Sequence, residues 1–230
     1  MKAFQQIQEQ GEVGTGRLET LTDGIFAIAM TILVFGLSIP DVAAVALPAA
    51  LGRLWPNLLS LIVSFVILGV YWVATHNEFR YIRRADHMLI WLNIFFLLAV
   101  SLVPFSAGLL GHYPTVQLAV ILYGANLLAC LCFHAGMWWH ATRANHLVDA
   151  DLDPATVSLG KRLALFPIIG YGLAIGVSFV NTWISLLLYA LVPVPYILGL
   201  FYRGLGTVRR GDNEGKASSD YTADEQAGSH

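Results

Sequence analysis

Six runs of about 20 mostly apolar residues, separated by short polar breaks, constrain this chain more than any other feature. They fall at 18–39, 54–75, 87–110, 115–139, 161–180 and 182–202. A helix needs that length to cross the hydrocarbon core of a bilayer, because each residue advances it by only about 1.5 Å. In lipid the backbone has no water to bond, so a lone spanning segment satisfies its amides internally, as helix. Composition removes the soluble alternative: 57% of the 230 residues are hydrophobic and only 12% are charged, too few to solvate a domain of this size. The expected fold class is all-α, a polytopic membrane protein with six transmembrane helices.

The breaks are legible. Pro40-Asp41, Pro48 and Pro56 follow the first run, residues 77–86 the second and 111–114 the third; 140–160 separates the fourth from the fifth, and Asn181-Thr182 is a tight turn. Lys2 and Arg17 precede the first run; Arg80, Arg83 and Arg84 follow the second, Arg143, Lys161 and Arg162 the fourth, and Arg203, Arg209, Arg210 and Lys216 the sixth. With six spans all of these share one side, leaving Arg53 alone on the other. That asymmetry puts both termini in the cytoplasm. The polar segment 1–16 lacks the basic start and cleavage pattern of a secretory signal, so the first run is expected to be retained. Residues 17–203 form the expected transmembrane domain, and 204–230, almost without large aliphatic side chains, a disordered cytoplasmic tail. Cys130 and Cys132 diverge on a helix and read as inert core residues.

The first run carries the unusual chemistry. Asp23 lies about a turn inside it, where a carboxylate is costly and faces protein or water. Its candidate partners are Arg17, the hydroxyls of Thr20 and Thr22, and polar groups of other helices, His76 and Asn93. A structural clamp and an ion or proton site are both open readings. At about 100° per residue, Gly24, Ile28, Thr31 and Phe35 fall within a stripe of roughly 60°, and Asp23 points about 110° away from its centre. Gly24, Ala27 and Ala29 permit close helix approach. The stripe is either a central packing surface in a symmetric assembly or a plain face toward lipid or core, with Thr31 bonding back to the Ala27 carbonyl. His134 and His140, six residues apart, do not share a face, which argues against a haem or zinc pair.

No H-E-x-x-H, paired membrane aspartates, phosphate-binding glycine loop or G-x-S-x-G is present, so no enzyme signature and no cofactor is indicated. Nothing points to nucleic acid. There is also no T-V-G-Y-G filter loop.

The residues Arg17-Leu18-Glu19-Thr20-Leu21-Thr22-Asp23 resemble the R-x-x-x-F-S-D hallmark of the transmembrane protein 175 family of lysosomal and prokaryotic potassium channels. Leu21 and Thr22 stand conservatively for Phe and Ser. Residues 24–31, 76–79, 91–93 and 101–105 are similar to the following parts of that family, and the likeness covers about residues 15–110. It implies a homotetramer of six-helix subunits in which four copies of the first helix line a central pore. By position, Ile28 and Phe35 would supply apolar rings of the constriction and Thr31 a hydroxyl ring, with K+ as the permeant ion. Arg17, Thr22 and Asp23 would join Trp72, His76 and Asn93 in a polar network holding the pore helix. The expected function is a potassium-permeable cation channel. The alternative is a small proton-coupled secondary transporter using Asp23 and His76, although neither paired repeats nor broken mid-membrane helices are evident.

Overall fold

The computed structural model describes residues 13–143, 147–149 and 152–199. Two compact units divide the chain, Met1–Pro193 and Val194–His230. The second unit contains, among its described residues, one short helix, Val194–Ile197.

The first unit is a helical bundle. Its helices are α1 (Gly16–Ile32), α2 (Leu47–Arg53), α3 (Trp55–Phe79), α4 (His87–His112), α5 (Gln117–Arg143), α6 (Pro154–Val177) and α7 (Thr182–Leu191). Five segments are long and apolar enough to cross a membrane: Gly16–Gly36, Trp55–Phe79, His87–His112, Gln117–Arg143 and Pro154–Val177. The chain is thus a multi-pass membrane protein. The sixth apolar run is shorter than expected. Helix α7 stops at Leu191, two residues before Pro193, which has no amide hydrogen to continue the ladder. The expected end of that run, residues 200–202, lies outside the described residues, as does the expected tail.

Caps explain the other boundaries. The Asp86 carboxylate accepts the Leu89 amide at 2.8 Å to open α4, and the Asn181 side chain accepts the Trp183 amide at 2.9 Å to open α7. Helix α6 begins at Pro154 rather than near 161, because the Asp153 carboxylate accepts the Ala155 amide at 2.9 Å and Pro154 occupies the first turn. The polar segment expected as loop is therefore two extra turns of helix.

Helix α1 buries Leu18, Thr22, Phe26 and Ala29, every third or fourth residue, and the stripe continues to Leu33. It packs on α4, where the rings of Phe26 and Phe96 lie 5.8 Å apart. Helices α3, α4, α5, α6 and α7 pack in succession. Buried hydroxyls find partners inside the bundle: Ser64 pairs with Tyr123 at 2.9 Å, Ser60 donates to the Ala107 carbonyl at 2.7 Å, and Tyr189 donates to the Val120 carbonyl at 3.1 Å. Cys130 is a core residue, as expected, but Cys132 is exposed on the outside of α5, the two being about 200° apart on the helix.

A two-residue ribbon, absent from the sequence reading, precedes α1. Strand β1 (Val13–Gly14) pairs antiparallel with β2 (Arg84–Ala85). It ties the entry of α1 to the α3–α4 connection. Nearby, Arg83 meets Asp149 at 2.9 Å, and that hydrogen bond and the carboxylate charge hold the guanidinium above its ordinary pKa.

Candidate functional site

Helices α1 and α3 meet through a ladder of polar side chains. Trp72 Nε1–H donates to Asp23 Oδ1 at 2.8 Å. One turn away, His76 Nδ1 lies 3.2 Å from Glu19 Oε1. The Trp72 and His76 rings stack, with centroids 5.8 Å apart and planes inclined by 21°. Glu19 and Asp23 are four residues apart, as are Trp72 and His76, so each helix presents one pair on one face. Glu19 was missed in the sequence reading. Its signal was there: it is one helical turn from Asp23 and matches the spacing on the facing helix.

Thr22 and Asn93 form a separate contact. Both are buried, and Asn93 Nδ2 lies 3.3 Å from Thr22 Oγ1. That is long for a strong bond, but it places two polar groups together in the α1–α4 seam. His76, by contrast, is exposed in the single subunit and does not join Asn93. Arg17 is exposed too. With Gly14, Gly16 and Thr20 it lines an open recess at the start of α1, and among the described residues it has no ion-pair partner, Asp23 included.

The other stripe of α1 is left uncovered by its own subunit. Gly24, Ile28 and Thr31 are exposed, Ile28 to 54%. The Thr31 hydroxyl turns back on its own helix, within 2.9 Å of the Ala27 carbonyl and 2.8 Å of the Ile28 carbonyl. Phe35 is 81% exposed but no longer on α-helix: the chain tightens into a 3-10 turn over Leu33–Gly36. At about 120° per residue such a turn carries Phe35 off the line that a continuous α-helix would draw through Ile28 and Thr31. A site for a resident metal ion is not formed by His, Cys, Asp or Glu groups among the described residues.

A further polar pair was not anticipated. Glu78 Oε2 of α3 and His134 Nε2 of α5 lie 3.5 Å apart inside the bundle, both shielded from solvent and neither hydrogen-bonded. His140, two turns on, instead meets Asp86 at 2.8 Å.

The chain is 34% identical over 188 residues to a potassium channel of Streptomyces collinus, a match spanning 79% of this chain and 91% of that protein. Residues 17–104 match the model of the family described as endosomal/lysosomal potassium channel TMEM175. The chain belongs to the TMEM175 family. A potassium channel of Chamaesiphon minutus is 33% identical over 201 residues, 84% of this chain and 95% of that one. The crystal structure of a lysosomal potassium-selective channel TMEM175 homolog from the same organism superposes with a TM-score of 0.72 at 31% identity, covering 80% of this chain and 96% of that chain. The TMEM175 match begins at Arg17 and ends at Pro104 of α4. It therefore takes in the whole ladder, the Thr22–Asn93 contact and the uncovered stripe of α1.

Proposed function

We propose that this protein is a potassium channel, a homotetramer whose pore is lined by α1. The observation that carries the reading is the likeness, over about four-fifths of the chain, to proteins named as potassium channels. The geometry of α1 supports the placing of the pore. One face of the helix packs into its own subunit and a second is occupied by the ladder to α3. A third, bearing Gly24, Ile28 and Thr31, with Arg17 and Thr20 toward its start, is left open.

Four copies of Ile28 meeting on an axis would exclude water, since a narrow apolar ring dewets. One turn along, four Thr31 hydroxyls would face the path. Because each proton is directed to a backbone carbonyl, the oxygen lone pairs remain for a cation, and a hydroxyl ring of this kind replaces part of the ion's hydration shell. Phe35 would stand at the wide end, its ring displaced by the 3-10 turn. Ladder and seam, with Thr22, Asp23, Trp72, His76 and Asn93, would hold the pore helix, and Arg17 would find its partner across a subunit boundary. Residues 17–203 make the channel domain, with the flanking segments and both termini cytoplasmic.

A planar-bilayer recording of the purified protein under a potassium gradient tests the reading. Unitary current steps reversing near the potassium equilibrium potential are expected. Saturable, proton-coupled flux without steps would instead identify a transporter.

A further inference from the structure

Gly160 seats α6 against α5: a methyl group there would run into the indole of Trp138. Trp138 Nε1–H also donates to the Val157 carbonyl at 3.4 Å. The register so set brings the next residue of each helix together on the outside of the bundle. Trp139 is 55% exposed, and two cations converge on its ring. The Arg143 guanidinium carbon lies 5.9 Å from the ring centroid and Lys161 Nζ 5.7 Å from it. Arg162, also exposed, follows. On this end of the bundle Arg83 has a carboxylate, Asp149. Among the described residues Arg143, Lys161 and Arg162 have none.

We propose that Trp139, Arg143 and Lys161 bind the headgroup phosphate of an anionic phospholipid. Charge complementarity selects the headgroup: two cations held at one ring with no carboxylate among the described residues attract an anion, and a guanidinium and an ammonium both suit phosphate oxygens. Position selects the lipid. An indole near the end of a transmembrane helix belongs to the level of the headgroups, where its ring is half apolar and half wet. Lys161 also opens a stripe of α6 in which Leu165, Ile169 and Leu173 follow at intervals of four residues, exposed to 54, 52 and 62%. A lipid held by its phosphate at Lys161 can lay an acyl chain along that stripe, whereas free phosphate gains nothing from it. A zwitterionic headgroup brings its own cation to a cluster that has no carboxylate among the described residues, and binds less well. The assignment does not depend on where the pore lies.

Native mass spectrometry of the purified full-length protein, titrated with phosphatidylglycerol or phosphatidylcholine, is the test. The unaltered protein should retain phosphatidylglycerol preferentially, and the preference should fall as salt is raised. Arg143→Gln with Lys161→Gln should reduce the relative affinity by about thirtyfold, at roughly fivefold for each basic residue near an anionic lipid surface. Arg83→Gln, which removes one positive charge elsewhere on the same end, should leave it unchanged where either single variant at the site loses about fivefold. All three positions are exposed, so these variants keep the core intact, and the salt titration of the unaltered protein tests the same point without any variant. Equal retention of the two lipids, an unaffected double variant or a loss of about fivefold in Arg83→Gln would overturn the proposal. Inorganic phosphate displacing phosphatidylglycerol at millimolar concentration would leave an anion site and remove the lipid.

Discussion

Thr31 has one hydroxyl proton, and it points back to the carbonyls of Ala27 and Ile28. Replacing it by Val keeps the volume nearly constant and removes only the outward oxygen. Thr31→Val should therefore lower the preference for potassium over sodium without harming the fold. Ile28→Asn places four amides at the proposed apolar ring, which lowers the dewetting barrier, so it should raise conductance and relax selectivity. Reversal potentials of both variants under potassium and sodium gradients check the pair; unaltered currents in both would remove α1 from the pore. Glu78 and His134 make a different case, because each is the nearest counter-group of the other in a place that water does not reach. With the two groups 3.5 Å apart, the double variant Glu78→Leu with His134→Leu should cost less than the sum of the two single variants. Denaturation midpoints in detergent provide the cycle, and strict additivity would show that the two do not interact.

Between elements, the α1–α3 ladder and the close contacts of the glycines divide the work. Trp72→Phe keeps the stacking on His76 but withdraws the indole N–H from Asp23. Since the ladder is partly exposed, the loss should be about 1 kcal/mol, less than a fully buried charge-assisted bond would cost. It should show as faster amide exchange over residues 16–32, with permeation retained. Arg17→Ala should leave that exchange unchanged, because Arg17 has no ion-pair partner among the described residues of its own subunit; a fall in tetramer content would then locate its partner in a neighbouring copy. Helices α5 and α7 approach through Gly124, where any Cβ would run into the Tyr189 hydroxyl and crowd Ile175 at 2.8 Å. Overpacking of that kind costs typically about 1–3 kcal/mol. Gly124→Val should lower the melting temperature measurably, while Gly24→Ala, with nothing within 4 Å of its Cβ in the subunit, should not.

For the molecule as a whole, the basic residues among those described, Arg53 excepted, lie at one end of the bundle, at the start of α1, the α3–α4 connection and the facing ends of α5 and α6. Cysteines introduced at positions 112 and 215 should label from opposite sides of the membrane, and labelling from the same side would sink the proposed topology. Light scattering of the detergent-solubilised protein should give four times the 25.1 kDa subunit mass once detergent is subtracted. A monomer would leave the stripe of α1 facing lipid and the channel without a wall.

What the sequence by itself determined was set by the bilayer. Length and hydropathy marked the spans, and five of the six runs are full-length helices because lipid offers a backbone no other way to satisfy its amides. The repeat of 3.6 residues separated Asp23 from the stripe of Ile28 and Thr31, and the R-x-x-x-F-S-D-like segment pointed to the family. Tertiary structure decided the partners. The residues alone gave Asp23 five candidates and the resemblance added Trp72 to its network; the approach of α3 makes Trp72 its hydrogen-bond partner, leaving Arg17 apart and bringing in Glu19 for His76. Glu78 and His134 lie 56 residues apart and meet only because α3 and α5 both pack against α4. Local rules supplied the rest late: the Asp153 cap lengthened α6, the prolines shortened α7, and the 3-10 turn moved Phe35. Hydrophobic periodicity reports which face of a helix is apolar, but the neighbour that covers that face is chosen by the packing of the whole bundle, where one glycine contact is enough to set a register.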